Sequence, residues 1–283
     1  MPFTLAHPAA VLPLRRFCPK RLTFFGLVIG SLVPDVAYFF DDICPFPSLL
    51  TPLVGRPAAD VGHLAVDLQW SDFSHSLYGS LLLALPVGYF LFVIFHLIAA
   101  ELVSTLPNPY RKALHQSCRQ PRPSIAVGVS SVAIGIWLHL VWDSFTHRNS
   151  WLAQNCAFLH RHVLNGVHGG LEVITVFWIF SSVGGLIALL ASGLHFVRKQ
   201  RMPLWAFARE DAGRYFFWVT LLSIPLAIAI PITIHFTRAE IAANRYSFIF
   251  HVFSEYYLVT LGLCVIAVGF AYKQKNARPD SGT

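Results

Sequence analysis

The chain has 283 residues, of which 55% are hydrophobic and only 12% charged, and its mean hydropathy is +0.57. A soluble domain is nearer a quarter charged, so composition excludes a disordered chain, a nucleic-acid-binding module and an ordinary soluble enzyme. The net charge of +7 and pI of 9.3 raise the question of an acidic partner, which the placement of the basic residues decides.

The opening MPFTLAHPAAVLPLRR carries its basic residues after the apolar run, not before it, so it is not read as a cleavable signal peptide. Six stretches are then apolar and long enough for membrane helices, which need about 20 residues each: 22–40, 77–100, 124–147, 171–197, 215–236 and 247–272. The expected fold is an all-α integral-membrane bundle of six spans. It forms one polytopic domain over 1–272 and a short tail at 273–283. Five cysteines with no CxxC are too few for a disulfide scaffold, and Cys44 and Cys156 can meet only if their loops do.

Lys and Arg alternate between the two sides of this chain. Sixteen of the 21 fall in the N-terminal segment, the second and fourth loops and the tail, and five in the other three loops. The positive-inside rule places both termini in the cytoplasm. The basic residues are therefore topology signals, and no clustered patch with interleaved aromatics suggests nucleic acid.

The outer loops are expected at 41–76, 148–170 and 237–246. The first holds Asp41, Asp42, Asp60, Asp67 and Asp72 against one Arg, and nine of the 13 histidines lie in or beside these loops. Carboxylates and imidazoles at one membrane face suit a hard or borderline cation, although plain loop polarity accounts for His63, His160 and His162. Asp35, in GSLVPDVAYFF, and His139 and Asp143, in GIWLHLVWDSFTH, sit inside apolar runs. An ionisable group there marks a functional site unless it is paired.

His139 and Asp143 are four apart and share one helix face. They could be two ligands of one metal, or Asp143 could orient His139, or the two could form a structural ion pair. His147 lies one further turn on, rotated about 80° from that face. Pro34 predicts a break in the first helix near Asp35. His75 opens the second helix, with Ser74 or Ser76 able to shape that end, and Asp72 three residues earlier is a further ligand or a cap. At 1.5 Å per residue, Asp35 lies about 21 Å along its span, His139 about 22 Å and Asp143 about 28 Å. These depths agree, and His75 waits at the same level. His168 with Glu172, and His251 with Glu255, are also four apart. They read as mutually satisfied structural pairs or as further lining of the same cavity.

In order, MPFTLAHPAAVLPLRR, GSLVPD, FSHSLYG and HLVWDSFTH resemble a multi-pass bacterial membrane family, domain of unknown function 4184. The same order is similar to the LexA-binding inner-membrane metal-dependent hydrolases and, more remotely, to zinc-dependent phospholipase C. That resemblance implies a bacterial inner-membrane location and a metal centre that cleaves phosphoester bonds. It implies His7, Asp35, His75, His139 and Asp143 as ligands, with Zn as the metal and Mn or Fe as alternatives. The phospholipase pattern would end near His147, where this chain reads FTH.

His7 lies only about 12 Å before Arg15 at helical rise, on the expected cytoplasmic side. Either residues 3–14 form a re-entrant helix that brings His7 up, or His7 is no ligand. The leading expectation is a hydrolase of phosphoester, lipid-linked substrates, partnered by membrane lipids and not by nucleic acid. Its rivals are a cation or proton transporter, which predicts polar residues continuing to the inner side, and a non-enzymatic scaffold, which predicts no metal.

Overall fold

The structure, a computed structural model, describes residues 4–18, 21–41, 44, 69–118, 123–147, 150–164, 171–199, 211–236 and 246–277. Most of the expected first outer loop therefore lies outside the described residues, with His63 in it. Helices dominate, and the only strands among the described residues are β1 (His162–Leu164) and β2 (Leu171–Glu172), which pair antiparallel. Among the described residues, five helices are long and apolar enough to cross a membrane, or six if the bent pair Phe24–Gly30 and Val33–Asp41 is one span. The protein is a multi-pass helical membrane protein. The five cysteines are all free.

The chain divides into two compact units. The first comprises residues 1–92 and 123–192. It opens with a 3-10 helix, Thr4–Phe17, where a re-entrant helix over 3–14 is expected. The broken first span follows as α1 (Phe24–Gly30), α2 (Val33–Val36) and α3 (Tyr38–Asp41). Pro34 stands in the first turn of α2, where its missing N–H leaves nothing unsatisfied. The break therefore falls at Ser31–Leu32, just upstream of where Pro34 alone suggests it.

Beyond the first loop come α4 (Trp70–Ser74), α5 (Leu77–Gly79), one π-helical turn (Ser80–Ala84) and α6 (Leu85–Thr105). Ser76 caps α5 by accepting the Gly79 amide at 3.0 Å. A Cβ on Gly79 would run into the Phe73 carbonyl, so this glycine lets the chain fold tightly around His75. Asp41 Oδ1 accepts the Ser71 amide at 3.1 Å, which ties the start of α4 to the end of α3.

α8 (Ile125–Ser144) is capped by Ser124 and packs against α1 through small residues. Side chains added at Gly30 or Gly135 would strike the Val132 and Leu27 carbonyls respectively. Ser131 Oγ accepts the Thr23 amide at 2.9 Å. Apolar area gives membrane helices little reason to associate, so close backbone packing and such hydrogen bonds do the work. Val33, Ala84, Phe92, Val132 and Ile136 form the adjoining core. α9 (Trp151–Asn155), β1, β2 and α10 (Val173–Lys199) complete this part of the chain.

The second unit comprises residues 93–122 and 193–283. It contains the end of α6, α7 (Tyr110–Cys118), α11 (Ala212–Phe236) and α12 (Tyr246–Ala277). Asp211, just before α11, accepts the Asn108 amide at 3.0 Å and Arg214 at 2.9 Å. Tyr215 donates to the Asn108 carbonyl at 3.1 Å and Trp218 to the Thr105 carbonyl at 3.2 Å. The α6–α7 connection is thus stapled to the start of α11.

Two outcomes follow. Gly30→Ala should lower the thermal midpoint in detergent, by about 1–3 kcal/mol of overpacking. Gly184→Ala, where nothing stands within 4 Å, should be neutral or raise it, since glycine inside a helix costs about 0.5–1 kcal/mol. The Asn108 amide, with Arg214 and Arg111, holds the Asp211 carboxyl below its ordinary value. A depressed folded value contributes stability above the unfolded value of about 4 and loses it as pH falls through the folded one. Asp211→Asn should therefore flatten the acid limb of a midpoint-against-pH curve, and an unchanged limb would sink the assignment.

Candidate metal centre

Four side chains from the broken first span, the α4–α5 corner and α8 converge on one point. Asp35 lies in α2, His75 is the C-cap of α4, and His139 and Asp143 lie one turn apart on α8. One ligand atom from each lies within 4.8 Å of all the others, so the group could hold a metal ion. His139 Nε2 is 3.3 Å from Asp35 Oδ1 and 3.2 Å from Asp143 Oδ2. His75 Nε2 is 3.6 Å and 3.4 Å from the same two oxygens, and 3.2 Å from His139 Nε2. Ligands bound tetrahedrally at 2.0–2.1 Å stand about 3.3–3.4 Å apart. The five separations match the edges of such a tetrahedron.

The fit extends to the hydrogen bonds. His139 Nδ1 faces the Ser31 carbonyl at 2.8 Å, and His75 Nδ1 faces the Ser71 carbonyl at 2.8 Å. A carbonyl can only accept, so each Nδ1 carries the proton and each Nε2 turns a lone pair inward. Two such lone pairs 3.2 Å apart repel unless a proton or a cation lies between them. The facing oxygens Asp35 Oδ1 and Asp143 Oδ2 are buried with no hydrogen-bond partner. An uncompensated carboxylate in a dry interior is heavily penalised. The donor set thus suits a divalent cation.

The break at Ser31 has a direct role here, because the last carbonyls of a helix have no partner within it. Ser74 Oγ donates to the Pro34 carbonyl at 2.9 Å and fastens α4 to the turn that carries Asp35. These backbone partners were missed from sequence. The signal available was the run of small residues in GSLVPD and the serines flanking His75.

His7, the residue whose depth disagreed, reaches the cluster and is fully buried. Its Nε2 lies 2.9 Å from Asp143 Oδ1 and its Nδ1 3.8 Å from Asp35 Oδ2. Its ring stacks on His139 at 4.0 Å, and Nδ1 also faces the Thr4 carbonyl at 3.2 Å. His7 therefore holds the outer oxygen of Asp143 and lies beside that of Asp35 without a hydrogen bond to it, and it is not among the four converging ligand atoms.

His147 Nε2 is 3.4 Å from Asp143 Oδ2: the residue is four past Asp143, and although α8 ends at Ser144 its amide still reaches the Asp143 carbonyl at 2.9 Å, which keeps the one-turn spacing between the two side chains. With side chains 18% and 24% exposed, His75 and His147 form the open edge of the cluster.

The remaining candidates stand apart from this group. Asp72 is in the first turn of α4 and is not among the converging atoms. Glu172 begins no helix: it lies in β2 opposite His162, 3.7 Å from His160 Nδ1. His168 and the side chains of His251 and Glu255 lie outside the described residues.

Helical spans around a buried Asp–His–His–Asp group define a multi-pass membrane protein with a cluster able to hold a metal ion. The profile of one family matches residues 1–272, and the chain belongs to it: DUF4184, a domain of unknown function. No match is found among curated proteins or among solved structures.

A cation bound at this group should stabilise the fold by linkage, by about 2.7 kcal/mol at a hundred times its Kd. Added Zn should accordingly raise the thermal midpoint of metal-stripped protein. The rise should vanish in Asp143→Ala, and an equal rise in both would place the binding elsewhere.

Proposed function

We propose that the protein is a membrane-embedded, metal-dependent hydrolase of phosphoester, lipid-linked substrates. The observation that supports this reading best is the near-tetrahedral set of Asp35, His75, His139 and Asp143, with inward Nε2 atoms and unpartnered inner oxygens. Similarity of the four sequence motifs to metal-dependent phosphoesterases favours the reaction class, and two imidazoles with two carboxylates at tetrahedral spacing suit Zn, with Mn or Fe as alternatives.

Bound there, a divalent ion supplies a nucleophile at neutral pH and a positive charge for the developing phosphoryl oxygens. Asp35, His75, His139 and Asp143 hold it. His7 acts through Asp143 as a positioning residue, holding its outer oxygen so that the inner one points at the centre. The carbonyls of Ser31 and Ser71 fix the tautomers of His139 and His75. A substrate phosphate approaches along the open edge, beside His147. The distribution of Lys and Arg favours both termini in the cytoplasm and the site toward the outer leaflet, and the resemblance of the motifs favours a bacterial inner membrane.

A network of protonated histidines and carboxylates, locking the helices without an ion, is the arrangement to beat. Elemental mass spectrometry of detergent-purified protein, beside phosphoester turnover, separates the two. We expect about one equivalent of Zn and measurable turnover in the wild type, with both lost in Asp143→Ala. His7→Ala should weaken metal affinity or activity by about 10–100-fold, as for other residues that orient ligands. A wild type with no metal, even after reconstitution with divalent ions, overturns the proposal.

A further inference from the structure

An apolar groove of about 510 Å³ lies within the first unit, lined in part by Trp142 and Thr146, which stand one and three residues from Asp143 in the chain. Its walls are Ala10 of the 3-10 helix, Leu138 and Val141 of α8 with Phe145 just past its end, and Phe177 and Phe180 of α10. Volume and lining are those of a site for an apolar ligand. Two of its three walls are the elements that carry His7 and His139. Ala10 follows His7 by three residues, which puts both on one face of a 3-10 helix. Leu138, Val141 and Phe145 recur at helical spacing on the outward side of the α8 segment, and Trp142 and Thr146, which also line the groove, lie between that side and the one bearing His139 and Asp143.

The groove is open on its outer side, where Phe180 is 72% exposed. Both long helices forming it are apolar enough to lie in a membrane, so what meets this opening is hydrocarbon. A fourth feature points to a ligand with a polar end. Trp142 lines the groove next to Asp143, and its indole N–H is buried with no partner in the protein. A buried N–H left unmade costs about 1–3 kcal/mol, and an oxygen of the ligand arriving between groove and cluster would accept it.

We infer that the groove holds one acyl chain of a phospholipid substrate, laid along α8 so that its phosphate reaches the Asp35–His75–His139–Asp143 centre. The inference rests on the hydrolase reading for the identity of the occupant as substrate. The phospholipid slides in sideways from the bilayer, its chain filling the groove while its ester and phosphate oxygens meet Trp142 and the centre. Such a site prefers long-chain substrates over short water-soluble esters of the same headgroup, because chain burial adds binding that the headgroup alone lacks.

The test uses the full-length protein in detergent, loaded with Zn, and a phospholipid carrying a photoreactive diazirine near the end of one acyl chain. Labelled peptides are mapped by mass spectrometry. We expect labelling at Val141–Phe145 and Phe177–Phe180, reduced at least fivefold by excess unlabelled long-chain phospholipid and not by its short-chain analogue. Ser181→Trp, which narrows the groove, should lower that labelling with metal content retained. Even labelling across outward faces such as Phe216 and Leu222 of α11, with no competition, means bulk lipid only and overturns the inference. Phosphoester turnover with uncompeted labelling sinks the groove assignment alone. Competed labelling without metal or turnover supports the groove as a phospholipid site and sinks the hydrolase reading.

Discussion

Two carboxylates, Asp35 and Asp143, are buried among helices apolar enough to cross a membrane. Moving a carboxylate out of water is penalised by several kcal/mol even after relaxation, unless opposite charge and hydrogen bonds compensate. That penalty organises the first unit. His7, His75, His139 and His147 each place a ring nitrogen within 4 Å of one or both carboxylates. The inner oxygens are nonetheless left without hydrogen-bond donors. The division of labour is visible in which oxygen each imidazole meets: the outer oxygen of Asp143 goes to His7, and the inner oxygens of both carboxylates face the space shared by His75 and His139.

The backbone is shaped to deliver these groups. Gly30 and Gly135 let α1 and α8 approach until their backbones nearly touch. That closeness brings the carbonyl freed at the Ser31 break within 2.8 Å of His139 Nδ1. The break therefore does two things: it aims Asp35 inward from a restarted helix, and it supplies the partner that fixes the His139 tautomer. On the other side, the Ser76 cap and the fold around Gly79 hold His75 at the corner between α4 and α5. Small residues, a proline and serine caps, unremarkable singly, are the parts from which the centre is assembled.

The features legible in the sequence were those where polarity conflicts with its surroundings. Asp35, His139 and Asp143 stand out because each interrupts an apolar run, and a common depth brought them together with His75. The all-α membrane fold was legible for the same reason, from the length of the apolar stretches. Errors arose where straight-helix geometry was carried too far. Depth counted along a helix axis left His7 between a ligand on a re-entrant helix and no ligand, because distance along the chain does not show that the N-terminal 3-10 helix lies against α8. The rotation of His147 was counted from His139 over two turns, whereas its contact is with Asp143, one turn away, which four-residue spacing allows. Glu172 was read into a helix because strand pairing with His162 depends on a partner outside its own segment. The carbonyls that orient His75 and His139 belong to the backbone, which side-chain identities do not reveal.

X-ray absorption at the metal edge of protein purified with its native ion tests the central claim most directly, because it reads the donor atoms themselves. The account predicts nitrogen and oxygen donors at about 2.0–2.1 Å, with outer-sphere scattering from two imidazoles that is lost in His139→Ala. A shell of oxygen alone or one containing sulfur, or an imidazole signal unchanged by that substitution, would contradict it.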